Sequence, residues 1–174
     1  RRHPKMEPYI FTTRGGVSVL FNDVPGPLFF VRQDQINVQA PYELAGQSSA
    51  RIVVRNQAAS SPAVTQPVTP AAPGIFAVSG GTGQAALLNQ DGSVNSGSNP
   101  AARGSVVQIY LTGQGATQPA ALTGALAREP FPAPTLPVTV TIGGRPAATP
   151  FVGLAPGLAG LLQVNAVVPD DVAP

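Results

Sequence analysis

The chain contains no cysteine, which removes disulfides, thiolate metal sites and cysteine nucleophiles together. That absence leaves the cellular compartment open. Tryptophan is missing, lysine occurs once (Lys5), and only 10% of residues are charged. No run of about 18 apolar residues occurs, so no helical membrane span is expected. Histidine occurs once, as His3, within a basic terminal segment. A Ser-His-Asp triad needs an imidazole held by a buried carboxylate, and a terminal segment supplies no such support. The acidic residues, among them Asp23, Asp34, Glu43, Asp91, Glu129, Asp170 and Asp171, are scattered near turn signals. Glycosidase chemistry needs two carboxylates across one cleft, and nothing in the sequence pairs these. The chain is read as non-catalytic, with no cofactor and no metal.

What is present is glycine (19), proline (20) and an apolar fraction of 43% rich in valine. Proline removes a backbone donor and glycine costs backbone entropy, so long helices are disfavoured. Short Val/Thr runs separated by Gly and Pro predict an all-β protein. At 174 residues the chain fits one domain or two small ones. Its first residue is Arg, which suggests a processed product or part of a longer one.

Charge is uneven. Arg1, Arg2, Lys5 and Arg14 against Glu7 give the first 14 residues +3, leaving −1 of the formal +2 for the rest. A basic arm is one mark of a nucleic-acid binder. The body, however, is weakly charged and has no basic-aromatic interleaving. A solvated or docking arm is the better reading, with no nucleic-acid partner.

The chain repeats itself. VSVLFNDVPGPLFFV, residues 17–31, matches VTVTIGGRPAATPFV, residues 138–152. Val17, Val19 and Phe21 fall on Val138, Val140 and Ile142; Pro25 falls on Pro146, Phe30 on Phe151 and Val31 on Val152. After seven extra residues near GLAPGLAG in the second copy, Gln35, Asn37 and Pro41 fall on Gln163, Asn165 and Pro169. Each copy reads as strand, tight turn, strand, loop, strand. The period of two puts one face of each strand inward, as in a sandwich. Asn22-Asp23 and Gly143-Gly144 suit hairpin positions of positive φ.

ARIVVRN (50–56) and SPAVTQPVT (61–69) follow the first copy as closing strands, and the prolines place the second of these at an edge. PAAPGIF (70–76) is a stiff link. SVVQIYLTG (105–113) precedes the second copy as an opening strand, and a Pro-rich loop (129–137) leads into it. The first unit thus lacks an opening strand of this type, and the second lacks closing strands.

Other motifs have plainer readings. GGTGQAA (80–86) superficially resembles a dinucleotide loop, but that chemistry needs a preceding strand and a following helix. Asn89, Asp91, Ser93 and Asn95 space oxygens loosely like a calcium loop, yet with one carboxylate and no bidentate Glu. Asp91-Gly92 is read as a hairpin turn. Tyr9, Phe11, Tyr42 and Tyr110 raise the prospect of an aromatic sugar platform, but Tyr110 belongs to an alternating strand.

PAAPGIF, GQAALLNQDGSVNS, NPAARGSVVQIYLTGQGAT, PVTVTIGG and GLAPGLAGLLQVNAVVP together resemble an uncharacterised C-terminal domain family of large exported acidobacterial proteins. The resemblance spans residues 17–174. It implies an exported immunoglobulin-like, TIG-like β-sandwich with no catalytic residues to carry over. In that family a Val-rich hairpin follows the QVN-x-x-VP phrase, and this chain departs there.

The expected architecture is two tandem immunoglobulin-like β-sandwich units, incomplete and completed by strand exchange between subunits. An arm (1–16) precedes a first unit (17–73) and a second (74–174) short of closing strands. A missing strand forgoes burial of two or three apolar side chains at about 1.5–3 kcal/mol each. That is comparable with a small domain's whole stability of about 5–15 kcal/mol. A bare edge is also a template for another chain. Tyr9, Ile10, Phe11, Thr12 and Thr13 form the candidate donor strand, with Leu162, Val164, Ala166 and Val168 as the candidate acceptor edge. Paired within its own chain, this strand would serve as the first unit's missing opening strand; donated to a neighbour's second unit, it does not close on itself and yields a filament or large ring. The expectation is an extracellular fibre of copies of this chain at a bacterial surface. The alternative is an adhesion module of a larger exported protein, binding surface glycans or a protein.

Overall fold

A computed structural model describes residues 9–79 and 81–172. The protein is all-β, and its ladders are antiparallel; among the described residues only Tyr42–Leu44 forms a helical turn, of the 3-10 type. No helix among them is long and apolar enough to cross a membrane.

The first unit contains β1 (Val17–Phe21), β2 (Val24–Pro25), β3 (Leu28–Arg32), β4 (Gln35–Val38), β5 (Ser49–Asn56), β6 (Ala59–Ser60) and β7 (Val64–Pro67). β5 is central: β1 lies on one side, continuing to β2, while β6 and β7 line the other. The β3–β4 hairpin forms a separate ladder. Val19, Phe21, Leu28, Leu44 and Ala50 fill the core between these layers, with Val31, Ile36, Ile52 and Val54 packed against it.

The second unit contains β8 (Gly74–Ile75), β9 (Ala77–Ser79), β10 (Thr82–Ala85), β11 (Leu87–Leu88), β12 (Val106–Thr112), β13 (Thr117–Gln118), β14 (Ala133–Pro134), β15 (Val140–Ile142), β16 (Arg145–Ala147), β17 (Phe151–Leu154) and β18 (Leu162–Val167). Its main sheet runs β11-β12-β18-β17, with β8 also on β12. The β15–β16 hairpin lies over that sheet: Val138, Val140, Ile142 and Ala147 pack on a core of Val107, Ile109, Leu111, Leu162, Val164, Ala166, Val168 and Val172.

The sequence repeat is a repeat of geometry. Phe21 faces Val24 and Leu20 faces Pro25 across the first hairpin; Ile142 faces Arg145 and Thr141 faces Pro146 across the second. Both turns carry positive φ at two successive residues, Asn22-Asp23 (48°, 67°) and Gly143-Gly144 (58°, 76°). This handedness matches the twist of the strands it joins. The second hairpins agree as well: Phe30 faces Asn37 and Val31 faces Ile36, as Phe151 faces Asn165 and Val152 faces Val164. Even the polar side chains repeat, since Gln35 Nε2 donates to Asn37 Oδ1 at 2.7 Å and Gln163 Nε2 to Asn165 Oδ1 at 2.9 Å.

The units are knit at a polar junction. Gln39 Oε1 accepts from the Gly124 amide at 3.0 Å, Tyr42 N–H donates to Thr123 Oγ1 at 2.9 Å, and Gln114 Nε2 donates to Tyr42 Oη at 2.9 Å. Thr123 Oγ1 also donates to Glu43. The Ala72 amide binds the Gly113 carbonyl at 2.9 Å. Gly113 sits at φ 80°, and a Cβ there would fall 1.9 Å from the Ala72 carbonyl oxygen. Only glycine admits this approach.

Candidate assembly edges

Because the equivalent hairpins of the two copies share register, each unit shows what the other lacks. In the first unit β5 pairs along the whole of β1, Val17 to Phe21. In the second, β15 corresponds to β1, and among the described residues it pairs only with β16. Burial follows: Val19 and Phe21 are 3% and 6% exposed, whereas their counterparts Val140 and Ile142 are only half-buried. The complementary case is β4, which corresponds to β18. β18 is flanked by β12 and β17, while among the described residues β4 pairs only with β3. Val164 and Ala166 are 1% and 0% exposed; their counterparts Ile36 and Val38 are half-buried. The same apolar pattern is therefore sealed in one copy and open at one flank in the other. Among the described residues, the open flanks are the outer edges of β4 and β15.

This corrects the acceptor edge expected from sequence. Leu162, Val164, Ala166 and Val168 are not at an edge. Leu162, Val164 and Ala166 lie on β18, whose backbone bonds are taken by β12 on one side and β17 on the other. Val168 follows it and is bonded to the loop before β12: its amide donates to the Ser105 carbonyl, and its carbonyl accepts from the Gly104 amide. Their side chains point into the core. The repeat carried the signal: β5 seals β1 in the first unit, so the strand to compare is β15, the counterpart of β1, which among the described residues has no such partner.

β7 is an edge, as expected, and all four of its residues are exposed. It ends in Pro67, and Pro62 lies just before it, so its flanks lack donors and it is a poor template. β4 and residues 138–142 contain no proline.

The described part of the arm lies against its own chain. Tyr9 bridges Ala125, the Ile10 amide donates to the Gly124 carbonyl at 2.8 Å, and the Phe11 carbonyl accepts from the Leu28 amide at 2.8 Å. Arg14 binds the Phe29 carbonyl through Nη1 at 3.1 Å. Tyr9, Ile10, Phe11, Thr13, Arg14, Leu28 and Phe29 line an open groove of about 390 Å³. The seat covers little of the aromatic side chains: Phe11 is 72% exposed and Tyr9 about half.

The other candidates separate. Tyr42 sits at the junction, where burial pushes its phenol up and the Gln114 hydrogen bond offsets part of that rise. Tyr110 lies on β12, with its hydroxyl donating to Gln108 Oε1 at 2.9 Å. These two and the arm aromatics stand on three different elements. The Asn89–Asn99 loop is a turn around Gly92 that consumes its own polar groups. Asp91 Oδ1 accepts from Ser93 N–H and Oγ at 2.9 and 2.6 Å, and these bonds hold the Asp91 carboxyl below its ordinary range. Asn95 Nδ2 donates to Asn89 Oδ1 at 2.9 Å, and Asn99 Nδ2 to Ser93 Oγ at 2.9 Å. Residues 81–86 lie in and beside the β9–β10 hairpin, not before a helix. Three of the acidic residues form surface pairs: Asp34 with Arg32, Asp23 with Arg51 and Asp171 with Arg145. Arg1, Arg2, His3 and Lys5 lie outside the described residues, whereas Arg14 is held on the Phe29 carbonyl.

No family model, curated protein or solved structure matches the chain.

Proposed function

We propose that the chain is a non-catalytic structural subunit that joins other copies of itself head to tail by β-strand complementation, forming an extracellular filament or surface fibre. One observation carries this reading. Matched core positions are sealed in one unit and half-open in the other, at opposite strands. The open edges of β4 and β15 are unlike, so a strand donated to either one by another copy makes a heterologous contact, which propagates instead of closing a dimer. Burying the half-open positions under an added strand would stabilise the assembly by about 1–2 kcal/mol for each of several side chains. The resemblance to exported acidobacterial C-terminal domains supports an extracellular setting. The test is negative-stain electron microscopy of the purified chain, whole and without residues 1–14. Filaments from the whole chain and none from the truncated one are expected. Filaments from both would remove the arm as donor.

A second reading, a surface-binding module of a larger exported protein, draws on the groove between the arm and Phe29. Its exposed aromatics and Arg14 suit a sugar ring. Monomeric behaviour in sedimentation together with glycan-array binding would select it.

A further inference from the structure

We infer that the outer edge of β15 receives residues Tyr9–Thr13 of a second copy as an antiparallel strand, in the register that β5 uses on β1. This rests on the head-to-tail reading and specifies its contact.

The register is written in the first unit. There Ile52 faces Phe21, Val53 faces Leu20, Val54 faces Val19, Arg55 faces Ser18 and Asn56 faces Val17. Carried onto the second unit, this register sets apolar, apolar, apolar, polar and polar partners opposite positions 142, 141, 140, 139 and 138, with exposed Thr141 standing where the first unit has buried Leu20. Tyr9-Ile10-Phe11-Thr12-Thr13 has that order, parallel to Ile52-Val53-Val54-Arg55-Asn56. Tyr9 then covers Ile142, Phe11 covers Val140, and Thr12 and Thr13 end the strand over Thr139 and Val138. Both sides gain. Val138, Val140 and Ile142 are half-buried beneath a flank that carries no strand among the described residues, while Phe11 and Tyr9 are poorly covered in their seat on their own chain. That seat is held at Tyr9–Phe11 by a bridge to Ala125 and by two backbone hydrogen bonds, Ile10 N–H to the Gly124 carbonyl and Leu28 N–H to the Phe11 carbonyl. A five-residue ladder offers more, and the exchange releases few contacts.

Because the chain has no cysteine, cross-linking reports the register without background. In Phe11→Cys/Val140→Cys, mild oxidation should give a ladder of covalent multimers on non-reducing gels. Equal mixing of the two single variants should give one dimer band. Thr12→Cys/Thr139→Cys, at the solvent-facing pair of the same register, should also give a ladder and guards against misfolding of the core variant. Phe11→Cys/Val164→Cys should give none, because Val164 is sealed within β18. A fast-migrating cross-linked monomer, or equal ladders from the Val140 and Val164 pairs, would overturn the inference. If the unmodified chain forms filaments but neither pair cross-links, this edge and register are wrong while head-to-tail assembly stands. If the unmodified chain stays monomeric in sedimentation and forms no filaments, the assembly reading itself fails, and this inference with it.

Discussion

At the scale of single residues, the chain uses polar side chains to finish turns. Asp91 is fully exposed, and the Ser93 hydroxyl and amide together hold its carboxyl below the ordinary value of 3.8. A carboxyl depressed on folding contributes stability above the unfolded value, and the contribution is lost as pH falls through the folded one. Ser93→Ala should therefore move the Asp91 midpoint, read from its carboxyl carbon by NMR, back up toward 3.8, with the amide bond retaining part of the shift. An unmoved midpoint would dismiss the hydroxyl as the main cause. Gly113 makes the sharper case. Gly113→Ala would set a Cβ against the Ala72 carbonyl at positive φ, and should cost at least about 3 kcal/mol in denaturant unfolding. The turn at Asp91-Gly92 was legible because its residue types act locally. The Gly113 approach was not, since its partner lies 41 residues earlier and no local signal marks it.

At the scale of elements, equivalent strands sit in unequal surroundings, and substitution should measure the difference. Val19→Ala in the sealed strand should cost about 2–3 kcal/mol, as for other buried aliphatic truncations. Val140→Ala, its counterpart, should cost less than half of that in isolated chains. The comparison can be read from hydrogen exchange in each unit. If the two costs match, β15 is as enclosed as β1 and the open flank is fictitious. Most of the strand pattern was legible in advance: the period of two, the paired hairpin turns and the repeat each appear in the ladders residue by residue. The acceptor strand was not. Leu162 to Val168 comes last in sequence, but sheet order differs from chain order, and β18 lies between β12 and β17. Hydrophobic alternation marks which residues face a core. It does not say which neighbours supply the backbone bonds, and those neighbours decide where an edge is.

At the scale of the whole molecule, the junction fixes how the two units sit. Gln39 reaches from the first unit to cap the buried Gly124 amide of the second. Gln39→Ala strips that amide of its partner and should cost about 1–3 kcal/mol. Small-angle scattering should then show a broader distribution of inter-unit distances while both cores keep their exchange protection. An unchanged scattering profile would mean that Gln39 is dispensable to the geometry. The prolines of the 70–73 linker are pinned where Ala72 meets Gly113, so bending must tear a backbone bond and pull apart two main chains already in contact. Such a joint resists bending between the two units. Were copies joined head to tail through one repeated contact, the angle held at this joint would recur at every step, and a thread with a constant turn winds into a regular helix.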